Sequence, residues 1–565
     1  MTVRPYEAAS KEFRSHGWWE GVTLGQLFAG NADANPSRLA LADPPNRADV
    51  TVGEPTRWTY AELRTAADRL ATSFLAEGIG HGDVVMVQLP NVAELVIVYL
   101  AAARIGAIVS PLAVQYRAHE LRQTSAIVSP KAFVTAKTIA GFDHFALAGE
   151  VRGDMPTVRA FYGLADEAMP GVHSLADILA SGAVDAGALG AAAAAPSAAD
   201  VFTICWTSGT EAEPKGVPRT HDLWTAIAYA TTDAAKLQDG DVLLCPFPIV
   251  NMSGIGGMLV PWLQTGGTLV LHQPMALPIF MQQIVMEKVN YTVAPPVLLN
   301  LLLAKPEMLA NVDLSSLRTI GSGSAPLAPS MVKGWKDRHG IEVTNFFGSN
   351  EGIALCGGPD DEPDPEVRAR VFPRFGGPDS AFANRVSRGM QTKLVDPITG
   401  EPVTEPGVPG ELLITGPTVF FGYWGRPDLT EKAFDAEGYF RTGDLFQIED
   451  DRHLRFVGRA RDLIIRGGMK IAPEEIEALL AGHPKIADVA VVGIEDAKVE
   501  GEQVVTAVVV VKEGETIELP EVRTFLQEKG VAGFKEPRRL VVVEALPRNP
   551  LGKVLKREIR DRVKA

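Results

Sequence analysis

Short apolar runs alternate with amphipathic segments through the first four-fifths of the chain. Apolar residues recur at helical spacing in Tyr60–Glu77 and Glu94–Arg104, which predicts two helices. Runs rich in valine and isoleucine are typical of buried strands and predict them at Val84–Leu89, Val201–Trp206, Val242–Cys245, Thr268–Leu271, Tyr291–Val293 and Glu342–Phe347. Strands that alternate with helices predict an α/β fold of mostly parallel sheets, covered by helices on both faces.

The pattern of predicted helices and strands changes after about Gly458. The elements expected there are the helices Pro473–Leu480 and Leu519–Glu528 and the strands Val489–Val492, Val504–Val511 and Arg539–Val543. Together they make a compact α+β unit of roughly one hundred residues, which is enough for a separate domain. The predicted organisation is therefore an N-terminal domain at 1–458 and a C-terminal domain at 459–565.

Two stretches interrupt the alternation of strands and helices. Ser181–Asp200 is nearly all alanine, glycine and serine, so we interpret it as a surface connector, with a helix as the alternative for an alanine-rich segment. Gly357–Arg374 is crowded with proline and acidic residues and is expected to be a loop.

Composition and charge narrow the possible classes of function. The 565 residues carry a formal net charge of −15, and no dense basic patch is present, which argues against nucleic-acid binding. The three cysteines show no C-x-x-C spacing, so neither a disulfide framework nor a zinc site is expected. The polar N-terminus lacks the apolar core of a signal peptide, and the longest apolar run, Leu95–Ala103, is too short to span a bilayer. These features predict a cytoplasmic protein.

The stretch Thr207–Gly216, TSGTEAEPKG, follows a predicted strand and precedes a helical pattern that opens near His221. Its backbone N–H groups and hydroxyls can donate to phosphate oxygens, and Lys215 supplies positive charge. It lacks the Gly-Lys-Ser/Thr of a P-loop. An ordinary surface turn with one lysine is the alternative interpretation.

Five further stretches carry candidate chemistry. Each is weak alone, because a turn with one acidic residue is usually only a turn. In Asn345–Gly352, NFFGSNEG, an aromatic ring can stack on a base and a carboxylate can hold Mg²⁺. The others are Gly321–Pro326 (GSGSAP), Tyr439–Asp444 (YFRTGD), Gly458–Pro473 and Pro547–Arg557 (PRNPLGKVLKR).

In this order and spacing, the six stretches resemble the adenylate-forming superfamily, which includes acyl-CoA synthetases, aryl-acid ligases, peptide-synthetase adenylation domains and firefly-type luciferases. The resemblance runs from about Leu24 to Arg560. It implies a large N-terminal domain of helix-covered sheets with a β-barrel-like subdomain, and a small mobile C-terminal domain. The implied cofactors are ATP, Mg²⁺ and coenzyme A.

The resemblance also implies roles for individual residues. Lys553 would contact the substrate carboxylate and the α-phosphate, Glu351 and Thr207 would hold Mg²⁺, and Asn251 would lie near the acid. Phe347 would stack on adenine, Asp444 and Arg459 would hold the ribose, and Gly468 would line the pantetheine tunnel. The implied nucleotide- and cofactor-binding residues are Thr207, Ser208, Gly209, Thr210, Lys215, Gly323, Ser324, Ala325, Phe347, Gly348, Asn350, Asp444, Arg459 and Gly468.

Some positions depart from the family pattern. Glu211 and Ala212 stand where Thr or Ser and then Gly are usual, and we expect Glu211 to face solvent. Asn350 replaces a common Thr, but its amide can still donate to the α-phosphate. Asn251 replaces a usual His, so it cannot carry charge. It either orients the acid by hydrogen bonds or is a buried amide satisfied by the backbone.

The residues near Asn251 favour an apolar acid. Met252, Ile255 and Met258 make the expected pocket apolar, and no acidic residue in Ile249–Gly257 would meet an α-amino group. The leading hypothesis is an ATP-dependent carboxylic acid–CoA ligase acting on an aliphatic, alicyclic or aromatic acid. The alternatives are an aryl-acid ligase that loads the pantetheine of a carrier protein and, from another class, a nucleotide-binding protein without turnover.

Overall fold

The computed structural model describes residues 6–167, 169–207, 213–323, 325–466, 469–495, 503–548 and 554–564. The chain divides into two compact units. The first unit comprises Met1–Thr392 and Ile414–Phe440, and the second comprises Lys393–Leu413 and Arg441–Ala565. The predicted α/β class is confirmed, because the first unit contains two large, mostly parallel sheets with helices between their strands.

The first unit contains an eight-stranded sheet. Its inner strands are parallel, and an antiparallel strand closes each edge. In spatial order the strands are Ala354–Gly357, Glu342–Gly348, Thr319–Gly323, Tyr291–Val293, Val242–Cys245, Thr268–Leu271, Leu39–Ala42 and Arg57–Thr59. Three predicted strands, Val242–Cys245, Thr268–Leu271 and Tyr291–Val293, have the bounds that the sequence indicates, because their apolar runs are buried on both faces.

A seven-stranded sheet also lies in the first unit. Its strands, in spatial order, are Lys215–Thr220, Val201–Thr207, Ile108–Pro111, Val84–Gln88, Ala132–Ala136, Ala160–Leu164 and His173–Ser174. All neighbours are parallel except the edge strand Lys215–Thr220, which pairs antiparallel with Val201–Thr207. Two short strands, Thr138–Ile139 and Phe142–Asp143, form a separate antiparallel pair.

Helices connect these strands. The predicted helices are present at Tyr60–Ala76 and Ala93–Ile105, and Thr59 with Glu62 forms a capping box at the start of the former. The other α-helices are Tyr6–Ser15, Leu24–Ala34, Ala118–Val128, His144–Val151, Leu175–Ser181, Ala186–Ala193, His221–Ala234, Met252–Gly254, Val260–Thr265, Leu277–Met286, Pro296–Ala304, Pro329–His339, Pro365–Arg368 and Pro427–Ala433. Ile255–Leu259 is a π-helix, and single 3₁₀ turns lie at Arg47–Asp49, Arg152–Asp154, Pro306–Met308 and Arg385–Arg388.

The structure corrects two interpretations of irregular sequence. Ser181–Asp200 lies mostly on the surface but contains the helix Ala186–Ala193, because Asp185 accepts the N–H groups of Gly187 and Ala188 and Leu189 is buried. The alternative interpretation of an alanine-rich helix is therefore the correct one there. Gly357–Arg374 likewise contains the helix Pro365–Arg368, capped by Asp364, and the strand Val371–Pro373.

No single helix of the described residues is long and apolar enough to cross a membrane. The helices Leu175–Ser181 and Ala186–Ala193 reach the required length and hydropathy only as a pair, and they meet at a bend of 104°.

The second unit contains four neighbouring strands, His453–Arg459, Phe440–Ile448, Gly410–Thr415 and Gln391–Val395. A three-stranded sheet follows, made of Ile486–Glu495, Gln503–Val511 and Arg539–Val542, with a hairpin of Ile464–Arg466 and Met469–Ile471 and a 3₁₀ turn at Ala460–Asp462. The helices are Pro473–Leu480, Leu519–Glu528 and Lys556–Lys564. Ile476, Val491, Val505 and Leu526 lie in its core. All five C-terminal elements expected from the sequence are present.

A buried ionic network holds the N-terminal part of the first unit together. Arg47 Nη1 donates to Asp43 Oδ2 at 2.7 Å, and Arg47 Nη2 donates to Glu94 Oε1 at 2.8 Å. Asp43 also accepts the N–H of Ala93, which opens the helix Ala93–Ile105. Burial raises the pKa of Glu94, and the charge of Arg47 opposes this rise. The network therefore joins two chain segments, 43–47 and 93–94, through charges that have little access to solvent.

We predict that Arg47→Met destabilises the protein strongly, because it leaves the carboxylates of Asp43 and Glu94 buried without their cation. Breaking such a pair costs about 3–5 kcal/mol, measurable as a lower urea midpoint. The matched control is Arg57→Met. Arg57 pairs with Glu287 at the surface, and exposed pairs contribute about 0–1 kcal/mol. Equal losses in the two variants would contradict the assignment of a buried network.

Candidate functional site

The first component of the site is the hairpin formed by Val201–Thr207 and Lys215–Thr220, which we call the phosphate hairpin. Thr207 and Lys215 are paired at the end of the hairpin where the connecting loop begins and ends. The two ends of this loop therefore lie next to each other. Ser208, Gly209 and Thr210 lie outside the described residues, as do Glu211 and Ala212. The sequence predicts a helix soon after this loop but misses the strand Lys215–Thr220. This strand lies at the sheet edge, where Pro218 is tolerated.

The second component is the turn Ser349–Gly352, which we call the acid turn. It connects the antiparallel strands Glu342–Gly348 and Ala354–Gly357. Glu351 is 9% exposed, and the N–H of Phe420 donates to its main-chain carbonyl at 2.8 Å. Gly352 has a φ of +110°, and a Cβ there would lie 2.0 Å from the carbonyl oxygen of Thr418. The acid turn therefore requires glycine next to the candidate metal ligand.

Tyr423 joins the two components. Its hydroxyl donates to Glu351 Oε1 at 3.2 Å, while the Lys215 ammonium lies 5.4 Å from the centre of its ring. Burial, together with the charge of Glu351, raises the pKa of Tyr423, so the phenol stays protonated and can donate. Tyr423 was not among the site residues predicted from the sequence. Its only local signal is the aromatic run at 420–424, because the contact to Glu351 spans 72 positions.

Asn350 links the phosphate hairpin to the segment that carries Asn251. Its Nδ2 donates to the carbonyl oxygen of Trp206 at 3.1 Å, and its Oδ1 accepts the N–H of Met252 at 2.8 Å. Asn251 lies directly before Met252 and is half-buried. Its Oδ1 accepts the N–H groups of Ser253 and Gly254 at 3.1 and 3.4 Å, which caps the following helix. The oxygen of Asn251 is thus satisfied by the backbone, as one of the two interpretations expected.

The residues expected at the adenine lie at the carboxyl ends of two parallel strands. Gly323 is opposite Phe346, and a Cβ on Gly323 would lie 2.2 Å from the Phe346 carbonyl oxygen. Phe347 is half-buried, with its ring centre 5.7 Å from that of Phe372. Gly348 and Ala325 are exposed, and Ser324 lies outside the described residues. Ligands of α/β sheets bind at this edge, so the position is compatible with a nucleotide.

The remaining predicted residues belong to the second unit. Asp444 and Arg459 are opposite each other on neighbouring strands, and Arg459 Nε lies 3.2 Å from Asp444 Oδ1. Gly468 and Lys553 lie outside the described residues. Lys556, whose side chain is 13% exposed, pairs with Glu474 and Glu477 at 2.9 Å each. These pairs anchor the start of the helix Lys556–Lys564, three positions after Lys553.

A buried arginine lies behind the acid turn. Arg219, on the phosphate hairpin, has no exposed surface, and burial lowers its pKa to about 9. Glu351 opposes this shift, since its negative charge stabilises the guanidinium. Arg219 was not among the residues predicted from the sequence, because no neighbouring residues mark it as functional.

The donor set of the acid turn fits magnesium that is shared with phosphate groups. Within the described ranges, no three His, Cys, Asp or Glu side chains are grouped so that they could hold a metal ion. Mg²⁺ in nucleotide sites is commonly bound through one or two carboxylates together with substrate phosphates and water. Glu351, near the end of the phosphate hairpin, can supply such a carboxylate, and Thr207 can add a hydroxyl.

Comparisons with known proteins agree with this geometry. The chain is 30% identical over 560 residues to the medium-chain fatty-acid–CoA ligase of Escherichia coli K12, covering 98% of this chain and 93% of that protein. It is 31% identical over 558 residues to the salicyl-AMP ligase / salicyl-S-ArCP synthetase of Mycobacterium tuberculosis, covering 97% and 92%. The ATP-bound crystal structure of MatB from Rhodopseudomonas palustris superposes with a TM-score of 0.78 at 27% identity, covering 96% and 99%.

Two family profiles match the chain. The AMP-binding enzyme C-terminal domain matches residues 475–553, and the AMP-binding enzyme profile matches residues 28–424. The resemblance to adenylate-forming enzymes is therefore confirmed over most of the sequence. The chain belongs to the family of AMP-binding enzymes.

Proposed function

We propose that this protein is an ATP-dependent carboxylic acid–CoA ligase. In the first half-reaction a carboxylate and ATP give an acyl-adenylate and pyrophosphate. In the second half-reaction the thiol of coenzyme A converts the adenylate to a thioester and releases AMP. The observation that carries the proposal is the joining of the phosphate hairpin to the acid turn through Tyr423, in a chain that belongs to the AMP-binding enzymes.

The first unit would hold most of the nucleotide. Thr207, Ser208, Gly209, Thr210 and Lys215 would surround the β- and γ-phosphates, with backbone N–H groups and hydroxyls as donors. Adenine would lie between the strand end at Gly323 and the ring of Phe347, next to Ser324, Ala325 and Gly348. Asn350 would reach the α-phosphate with its second amide hydrogen, since the structure shows one donation to Trp206.

Magnesium, bound by Glu351 and Thr207 with the phosphates, would neutralise negative charge on the polyphosphate. Tyr423 donates to one oxygen of Glu351 and so fixes the direction of the carboxylate. The ammonium of Lys215, on the ring face of the same tyrosine, would face the departing pyrophosphate. These residues would act by position and charge, as is usual in attack at phosphorus.

Lys553 would assist the attack itself. A carboxylate oxygen forms a bond to the α-phosphorus as the bond from that phosphorus to pyrophosphate breaks. Both reactants are anions, so a cation at this place lowers their repulsion. Asn251 would contribute only hydrogen bonds near the acid, because its amide carries no charge and its oxygen already caps a helix.

We further propose that the 1–458 and 459–565 domains alternate between two arrangements. In the adenylating arrangement Asp444 and Arg459 would hold the ribose and Lys553 would reach the α-phosphate. In the thioester-forming arrangement the backbone at Gly468 would line the path of the pantetheine arm. There the thiol sulfur attacks the acyl carbonyl, AMP leaves, and the thiol proton passes to solvent. Arg461, in the 3₁₀ turn Ala460–Asp462, would be the hinge residue of this movement.

The acid would be apolar. Ile255 and Met258 are fully buried beside the segment of Asn251, and Met252 is partly buried. The similar medium-chain fatty-acid–CoA ligase is named for an aliphatic acid, and the similar salicyl-AMP ligase is named for an aromatic acid. Both kinds of acid are compatible with an apolar pocket. An aliphatic, alicyclic or aromatic acid is therefore the proposed substrate class.

A second candidate function is the loading of an aryl acid onto the pantetheine of a carrier protein. The similarity to the salicyl-AMP ligase / salicyl-S-ArCP synthetase supports it, because the identity to that protein, 31%, is about the same as the 30% identity to the CoA ligase.

A panel of carboxylic acids tests both functions. We expect AMP release to require an apolar acid and free CoA, with acyl-CoA formed in equal amount. AMP formation that ignores CoA but needs an added carrier protein would support the second function. Acid-dependent pyrophosphate exchange into ATP should occur in either case. Its absence with every acid would contradict adenylation and leave a nucleotide-binding protein without turnover.

We predict that Lys553→Ala slows adenylation by about 10²-fold or more, corresponding to about 3 kcal/mol, the effect of losing one preorganised charged donor. Thioester formation from a synthetic acyl-adenylate should change little, because Lys553 would not take part in it. The two half-reactions are measured separately by pyrophosphate exchange and by CoA consumption. Equal losses in both would contradict the proposed domain alternation.

We predict that Glu351→Gln raises the Mg²⁺ concentration needed for half-maximal pyrophosphate exchange by about 10-fold or more, since a metal-binding charge is removed. Tyr423→Phe should have a smaller effect, about 10-fold or less, because it removes one hydrogen bond to that carboxylate. Tyr162→Phe is the control. It removes a hydroxyl that donates to the carbonyl oxygen of Ser73, and the Mg²⁺ requirement should stay at the wild-type value.

A further inference from the structure

Arg219 differs from the other deeply buried arginines. Arg47 is 2% exposed and pairs with Asp43 and Glu94, while Arg368 is fully buried and pairs with Glu342 at 2.5 Å. Arg219 is also fully buried, but no carboxylate of the described residues lies within ion-pair distance of it. Its Nε has no hydrogen-bond partner in that part of the chain. A buried charge without an ion pair is costly, so this arginine requires a specific explanation.

The guanidinium donates instead to backbone carbonyl groups from separate segments. Nη1 donates to Thr418 at 2.8 Å and more weakly to Asn350 at 3.4 Å, and Nη2 donates to Leu223 at 2.8 Å. The carbon Cζ lies 5.0 Å from the ring centre of Trp224. Only a planar, forked cation can reach several acceptors in different directions at once. These contacts are therefore specific to arginine.

Two of these three carbonyl groups, those of Asn350 and Thr418, belong to the segments that hold Glu351, and that of Leu223 belongs to the helix His221–Ala234. Asn350 immediately precedes Glu351 in the acid turn, and Thr418 lies two positions before Phe420, whose N–H donates to the Glu351 carbonyl. The hydroxyl of Thr418 also donates to the carbonyl oxygen of Gly352 at 2.7 Å. Arg219 itself lies on the strand Lys215–Thr220. One side chain thus ties the phosphate hairpin to both segments around the candidate metal ligand.

The close packing at Gly352 supports this role. A Cβ at Gly352 would lie 2.7 Å from Arg219 Nη1 and 2.0 Å from the Thr418 carbonyl oxygen. The acid turn therefore lies directly against the guanidinium, with no room for a larger residue. Any shift of Arg219 changes the position of this turn relative to the phosphate hairpin.

We propose that Arg219 is a positioning residue of the nucleotide site, which holds the acid turn against the phosphate hairpin so that Glu351 and Lys215 face one polyphosphate. The proposal rests on the proposed function, because it assumes that MgATP binds between these two elements. Arg219 is not expected to touch the nucleotide. Replacing Arg219 is expected to weaken the binding of MgATP and of Mg²⁺ and to leave the binding of the acid nearly unchanged.

The test compares Arg219→Met, which removes the donors, with Arg219→Lys, which keeps the charge but replaces the planar fork. MgATP affinity is measured by calorimetry without acid, so no turnover is required. We expect Arg219→Met to weaken MgATP binding by about 10- to 100-fold, the usual effect of removing a supporting partner of a metal site. Arg219→Lys should recover part of this loss. KM for the acid should change less than about threefold in either variant.

Arg368→Met is the matched control. It also removes a fully buried arginine from the first unit, but its partners are Glu342 and the carbonyl groups of Val343 and Glu362. We expect this variant to lower the midpoint of thermal unfolding while MgATP affinity stays within about twofold of wild type. All affinities are measured well below the unfolding midpoint of each variant.

Three results would overturn the proposal. The first is MgATP affinity within twofold of wild type in folded Arg219→Lys and Arg219→Met. The second is an equal loss of affinity in Arg368→Met, which would indicate general destabilisation. The third, if Arg219→Met does not fold, is unchanged MgATP affinity in Arg219→Lys. Failure of the proposed function is recognised separately, because wild-type protein would then bind MgATP but show no acid-dependent pyrophosphate exchange.

Discussion

Buried backbone groups must be hydrogen-bonded, and in the first unit this requirement holds the loops of the candidate site in place. Asn350 bonds the backbone of Trp206 and of Met252, and Asn251 caps the next helix. Thr418 bonds the backbone of Gly352. These hydrogen bonds reach the end of the strand Val201–Thr207, the start of the helix Met252–Gly254 and the acid turn. Hydrogen bonds within the protein therefore fix these segments relative to one another.

Charge is distributed differently in the core and at the site. In the core, Arg47 and Arg368 pair with carboxylates, so their charges are balanced within the fold. At the acid turn, Arg219 donates its hydrogen bonds to carbonyl groups and has no carboxylate within ion-pair distance in the described part of the chain, and Lys215 lies over a neutral phenol. The phosphate hairpin therefore carries positive charge that the surrounding side chains balance only in part. A chain with a net charge of −15 can in this way offer one local site to an anionic nucleotide.

The local sequence predicted helices and strands correctly where one periodic pattern of buried residues runs through the whole element. Strands such as Tyr291–Val293 and helices such as Pro473–Leu480 have the expected bounds, because their apolar patterns match one period of secondary structure. The strand Lys215–Thr220 was missed because it contains a proline and lies at an edge. The helix Ala186–Ala193 was interpreted as a connector because a single buried leucine and one aspartate cap define it. Tyr423 and Arg219 were missed because their contacts join distant segments.

The sequence by itself determined the α/β class, the family and the stretches that carry Thr207, Asn251, Phe347 and Glu351, because these depend on local pattern and motif spacing. Only the tertiary structure decided how the stretches meet. It placed the Lys215 ammonium over the ring of Tyr423 and the Glu351 carboxylate at its hydroxyl, and it used Asn251 and Asn350 to satisfy the backbone. The reason is physical: hydrogen bonds such as that from Asn350 to Trp206, 144 positions apart, and that from Tyr423 to Glu351, 72 positions apart, depend on how the sheets and loops pack, which no local pattern contains.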